Sequence, residues 1–276
     1  MCGHQQLKNY RKANKPIFFI LPTIMRVTNE IPTSWKDLQD KVCKYLNQCG
    51  YSAESPKTIE LVRGEVEVDV FATTDDELLR QFICECKFWE TPVPQEKIHA
   101  FRTVVQDSGS MLGIFISKVG YQEGARKAAY CSNVILKDWD GFIEMIATKW
   151  VKTRFREILR LADPLGVYTD YFDVPIEKFP TEAAKKECIR LQKKYITPYM
   201  MARALEMGMH RPEDPVMIDG IQFDYFNCLF DYLEQVFVQG VNEFEELFAS
   251  NPVEEWKMDF SERMHFESCI TDYITR

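Results

Sequence analysis

Between Arg63 and Trp89 two runs of strand-like composition carry ionisable residues that a strand interior does not ordinarily hold. The first, Val66-Glu67-Val68-Asp69-Val70-Phe71, alternates acids with apolar residues. The second, Phe82-Ile83-Cys84-Glu85-Cys86-Lys87, sets an acid and a lysine two residues apart in an apolar stretch. Burying a charge costs on the order of several kcal/mol unless it is paired or binds a metal, so these charges ask for partners. Side chains alternate along a strand, which places Glu65, Glu67 and Asp69 on one face and Val66, Val68 and Val70 on the other. On the second run Phe82, Cys84 and Cys86 share a face, and Ile83, Glu85 and Lys87 share the opposite one. The polar stretch Thr73 to Glu77 between the runs predicts a hairpin.

Asp69, Glu85 and Lys87 thus form a D-x15-E-x-K pattern across two neighbouring strands. The chemistry that calls for this set is metal-assisted hydrolysis of a phosphodiester. Two carboxylates offer hard oxygen ligands to Mg²⁺, which keeps several waters in its shell. The ion acidifies a bound water and neutralises phosphate charge, and a lysine beside them orients the attacking water. The plain alternative is a surface Glu–Lys pair worth under about 1 kcal/mol. Glu85-Cys86-Lys87 stands out by its setting, between strand and helix and downstream of an acid-bearing strand. Glu255-Trp256-Lys257 has the same spacing in a helical, acidic region without a partner strand, and is set aside. Glu67 is a candidate further ligand, equally readable as a solvated acid, and Cys84 and Cys86 are expected to be small core residues.

Around this pair the chain alternates. A helix is predicted from Ser34 to Cys49, capped by Thr33 or Ser34 with Asp37 and stopped by Gly50. Its apolar residues Leu38, Val42, Tyr45 and Leu46 recur at helical spacing. Strands are predicted at Lys57–Leu61, Met111–Ser117 and Asn133–Leu136, and helices at Gln95–Gln106, Gly120–Tyr130 and from Asp140 to Leu161. The unbroken apolar run at 111–117 suits a strand buried on both faces. The order implies a mixed α/β sheet (α+β in its first part) with a parallel portion. Residues 163–180 hold three of the thirteen prolines and no periodicity, and are expected to be a linker. Beyond it, 182–205 and 223–248 have helical patterns, with a turn at Ile218-Asp219-Gly220-Ile221. The aromatic residues of the last helix, such as Phe226, Phe230 and Phe237, are expected to be core. The expected organisation is an arm over 1–33, a core domain over 34–162 and a mostly helical domain over 163–276.

Charge is distributed unevenly. Residues 151–276 hold 15 Lys and Arg against 23 Asp and Glu, which is the whole of the net −8. Residues 1–150 hold 19 of each and are neutral. Within them, residues 1–30 carry Lys8, Arg11, Lys12, Lys15 and Arg26 against Glu30 alone. A neutral half with a basic arm is compatible with a polyanion ligand. Nine cysteines, a mean hydropathy of −0.29 and no export signal lead to the expectation of a cytoplasmic protein with reduced thiols. The apolar run 16–25 is short and broken by Pro22, so no membrane contact is expected.

Residues 34–150 resemble the Mrr-like (type IV restriction) branch of the PD-(D/E)xK nucleases. The likeness runs through Cys49-Gly50-Tyr51, Val68-Asp69-Val70, Glu85-Cys86-Lys87 and Ile98-His99-Ala100-Phe101. It continues in Gly113-Ile114-Phe115-Ile116-Ser117, Gly124-Ala125 with Ala128-Ala129, and Val134-Ile135-Leu136. It implies a restriction-endonuclease-like core and cleavage of DNA dependent on Mg²⁺, with Mn²⁺ as a substitute, in defence against foreign DNA. By the same likeness Asp69 and Glu85 are the metal ligands and Lys87 completes the catalytic set. Three departures are visible, the first being Gly64-Glu65-Val66-Glu67-Val68 where the family usually approaches the aspartate through a glycine-rich stretch. The first helix of the family commonly offers an acid near the metal, where this chain has Gln39. A glutamine of the helix after E-x-K commonly assists, where this chain has His99, with Gln95 one turn earlier. A non-cleaving nucleic-acid-binding or protein-interaction module on the same fold is the alternative. A homodimer, and a protein partner docking on the acidic C-terminal half, stay open.

Overall fold

The computed structural model describes residues 25–75, 79–211 and 214–253. The basic residues Lys8 to Lys15, the apolar run Phe18 to Leu21 and the second E-x-K at 255–257 lie outside them. The first described segment packs onto the body: Met25 and Val27 are buried, and Arg26 forms a backbone bridge with Tyr225.

Helix α1 spans Trp35–Gln48. Ser34 caps it by accepting the Asp37 N–H at 3.1 Å, and the Asp37 carboxylate accepts the N–H of Thr33, the residue before the cap, at 2.7 Å, a box closed one residue early. Gly50, at φ 81°, turns the chain out of the helix. Leu38, Val42, Tyr45 and Leu46 face inward and are all but inaccessible. Each contributes roughly 1.5–3 kcal/mol by leaving water.

Strands β1 (Ser52–Glu54), β2 (Lys57–Leu61), β3 (Gly64–Val68), β4 (Val70–Thr73) and β5 (Gln81–Lys87) follow. Then come α2 (Gln95–Asp107), β6 (Leu112–Ser117), α3 (Glu123–Ala129) and β7 (Val134–Lys137). The main sheet has the order β1-β4-β5-β6-β7, antiparallel through β5 and parallel from β5 to β7. This is the expected mixed sheet. Strand β1, which sequence periodicity did not reveal, is a three-residue edge beside β4.

The sheet divides two cores. Phe82, Cys84 and Cys86 of β5 point into the one that contains α1, while Ile83 points into the other, against Ile98, Phe101 and Val105 of α2. Helix placement follows from the parallel crossovers, which lay α2 and α3 on a single face. Strand β6 is buried from Gly113 to Ser117 between the two.

Helix α4 (Trp139–Tyr168) changes the expected organisation. It runs unbroken through Asp163 and Pro164, where a linker was expected to begin, because both of its ends find apolar partners. Its first half packs on the sheet and α1; its second half packs on α5 (Glu182–Glu206) and α6 (Phe226–Ser250), with Leu165 and Tyr168 buried. Trp150 and Phe155 stack on Phe230 of α6 at centroid distances of 5.4 and 5.5 Å. Each such pair adds about 0.5–1.5 kcal/mol beyond area burial. Most aromatic residues of α6 are core, as expected: Phe226, Phe230, Phe237 and Phe244 are inaccessible, while Tyr232 and Phe248 are partly buried against them. Between α5 and α6, the hairpin of β8 (Val216–Ile218) and β9 (Ile221–Phe223) turns at Asp219 and Gly220, both at positive φ. No described helix is long and apolar enough to cross a membrane.

Candidate active site

The run predicted as one strand over 65–71 is two. β3 pairs with β2, β4 pairs with β5, and Asp69 is the single residue between them, where the chain bends and changes partner. Val68 and Val70 consequently enter opposite cores. Register between β4 and β5 ends at Val70–Cys84, so β4 does not reach the Cys86 N–H. Oδ2 of Asp69 takes the place of the missing strand and accepts that N–H at 2.6 Å. Oδ1 accepts from Nε2 of Gln39 at 2.6 Å.

Gln39 is 2% exposed, on the inner face of α1. One turn earlier on the same helix, Trp35 donates its indole N–H to the Cys86 carbonyl at 3.0 Å. A single helical face therefore holds both Asp69 and the backbone between Glu85 and Lys87.

Lys87 forms an ion pair with Oε1 of Glu85, and its Nζ lies 3.9 Å from Oδ2 of Asp69. The side chains are only 12% (Asp69), 19% (Lys87) and 24% (Glu85) exposed, so little water screens them. Burial, and then the charge of Asp69, push the Glu85 carboxyl above its usual pKa; the charges of Lys87 and Lys97 pull the other way and are outweighed. Burial also pushes the Cys84 and Cys86 thiols up, keeping them neutral core groups as expected.

The structure thus brings together Asp69, Glu85, Lys87 and Gln39. Others stay apart. Glu67 is exposed on β3 opposite Thr58, because the bend at Asp69 ends the alternation that would have put the two acids on one face. Gln95 and His99 are exposed on α2 and are 2.9 Å from each other through Nε2 atoms. Among the described residues, no hydrogen bond or ion pair joins Glu67, Gln95 or His99 to the cluster. Sequence reasoning missed Trp35, and it missed Lys97, the α2 residue whose charge reaches Glu85. The i, i+4 spacing of Trp35 and Gln39 is a signal for the former only once Gln39 is placed.

Among the described residues no group of three or more His, Cys, Asp and Glu is arranged to hold a metal. The donor set is the carboxylate pair Asp69 and Glu85. Two crowded carboxylates, one of them with its ionised form disfavoured, match a hard divalent cation that completes its shell with water and phosphate oxygens. They do not match the four-ligand, nitrogen- and sulfur-rich shell of a structural zinc.

Residues 32–146 match a family model, the Mrr catalytic domain, described as restriction endonuclease. No curated protein matches the chain. Among solved structures, the crystal structure of a protein of unknown function, AF1548, is 17% identical over 77% of this chain and 100% of that one, at a TM-score of 0.34.

Proposed function

We propose, from the match of residues 32–146 to the restriction endonuclease domain model, that the chain is a metal-dependent endonuclease that hydrolyses DNA phosphodiester bonds. The observation that carries this reading is the contact of Lys87 with both carboxylates, Asp69 and Glu85, in a largely dehydrated cluster. Asp69 and Glu85 would hold Mg²⁺, or Mn²⁺ in its place. When bound, the ion supplies an acidified water and charge neutralisation at the phosphate. Lys87 directs its ammonium at the water and at the charge developing on phosphorus. Gln39 and the Cys86 N–H fix both oxygens of Asp69, and Trp35 fixes the peptide between Glu85 and Lys87, so the reacting groups need not reorganise. Defence against foreign DNA is the role that fits a restriction-type domain.

A second reading has one observation in its favour. Gln39 stands where the family commonly has an acid, leaving two carboxylates, and a non-cleaving module that binds nucleic acid or a protein would tolerate that loss. A cleavage panel separates the two. Purified protein is given Mg²⁺, Mn²⁺ or chelator with plasmid, methylated plasmid, single-stranded DNA and RNA, beside Lys87→Ala. Metal-dependent nicking that Lys87→Ala loses by 100-fold or more, about the scale of proton-transfer assistance, supports the nuclease. Binding without cutting in every arm supports the module.

A further inference from the structure

Trp89 lies two residues past Lys87, beyond the end of β5, and its side chain is 37% exposed. The Nζ atoms of Lys87 and Lys97 each lie 6.0 Å from its ring centroid, at the reach of a cation–π contact. Lys97 comes from the first turn of α2, is exposed, and makes no ion pair among the described residues, yet its charge acts on Glu85. An accessible indole and an uncommitted cation therefore border the Asp69–Glu85–Lys87 cluster from two different elements.

Resting on the nuclease reading, we propose that Trp89 and Lys97 form the subsite for the nucleotide next to the scissile phosphate. Trp89 stacks on its base, Lys97 contacts its backbone phosphate, and the favoured substrate is DNA whose strand is unpaired at the cut. The reason is geometric. An indole face gains its energy from the face of a base. In a duplex both faces of each base are covered by neighbouring pairs, and only edges reach the grooves. A stacking platform beside the reacting groups is usable only when the adjacent base leaves the helix, which is least costly in single strands, bubbles and mismatches. Among the described residues Lys97 makes no ion pair, so the approaching phosphate has none of those pairs to break in recruiting it.

The test uses the full chain in chelator, so that binding is read without cutting. Labelled single-stranded, bubble and duplex DNA are titrated by fluorescence anisotropy with wild type, Trp89→Ala, Trp89→Leu, Trp89→Phe and Lys97→Ala. Circular dichroism and thermal melting check each fold, and Trp89→Leu keeps apolar bulk without a flat face. Expected is a five- to hundred-fold loss of single-strand and bubble affinity in the Ala and Leu variants. Duplex affinity stays within about two-fold, Trp89→Phe stays close to wild type, and 2-aminopurine beside the cut is quenched only when an aromatic is present. Lys97→Ala weakens single-strand binding and lowers its salt slope by about 0.7. Equal losses on duplex and single strands, or none, overturn the subsite while metal-dependent cutting by wild type leaves the nuclease reading intact. A wild type that neither binds nor cuts DNA overturns both.

Discussion

Asp69 accepts the backbone N–H of Cys86 at 2.6 Å, extending the pairing of β5 past the point where strand β4 ends at the adjoining Val70. The same carboxylate faces Lys87 at 3.9 Å, so one side chain joins the fold to the proposed chemistry. The two roles separate by substitution. Asp69→Ala leaves a mostly buried N–H and the Gln39 amide without their acceptor, at a cost of about 1–3 kcal/mol. Asp69→Asn keeps one carbonyl oxygen and loses less. Both are expected to abolish cleavage; urea denaturation distinguishes them, and equal midpoints would refute the strand-replacement role.

Glu85 provides a pH signature. Its carboxyl is raised in the folded protein by burial and by Asp69, so the fold holds that proton more tightly than the unfolded chain does. The resulting stabilisation is full below the unfolded pKa and is lost as pH rises through the folded one. Metal-free wild type should therefore lose melting temperature, relative to Glu85→Gln, on going from about pH 4 upward through the raised value. Glu85→Gln should also fail to cut. A constant difference between the two melting curves across that range would count against the argument.

Gln39→Glu is the sharpest probe of the helix α1 contact. It puts a third carboxylate, nearly inaccessible, against Asp69, where like charges and burial both resist ionisation. The metal-free variant should be less stable than wild type near neutral pH by on the order of 1–3 kcal/mol, and should recover as the pH is lowered. Mg²⁺ should raise its melting temperature by more than it raises that of wild type. Calorimetry with and without Mg²⁺ reads both effects.

Gly113 tests how α2 is seated. A Cβ there would lie 2.5 Å from Cγ2 of Val105 and 2.7 Å from Cε1 of Phe101, both on the buried face of α2. Gly113→Ala should destabilise by roughly 1–3 kcal/mol by overpacking. Because Lys97 rides on the same helix, the variant should also lose DNA affinity at temperatures where it is still folded. Unchanged melting would show that α2 shifts freely.

Much of this arrangement was legible in the sequence because burial and period agreed there. The Cys84/Cys86 face, the strand buried from Gly113 to Ser117 and the capped helix before Gly50 all followed from alternation or spacing. The exceptions share a cause. Asp69 breaks a run whose alternation of acids and apolar residues is unbroken in the sequence, so Glu67 looked like its neighbour on one face. Pro164 looked like a terminator, yet the tertiary partners of Leu165 and Tyr168 keep the helix going past it, overriding the local preference. Trp35 and Lys97 were missed because their roles depend on which strand each helix crosses, and spacing along the chain does not encode that.

The 30-residue length of α4 has a consequence for dissecting the protein. At about 1.5 Å per residue it is a rod of some 45 Å with one end in each half of the molecule. A truncation after residue 162 would leave Trp150 and Phe155 facing water where Phe230 now stacks, and would cut the rod within its buried stretch. A free N-terminal fragment made that way should be sticky and short-lived. The helical half thus acts as a cover for one side of α4, the same helix whose other contacts are with α1, β6 and β7, so baring it would expose apolar surface next to the sheet.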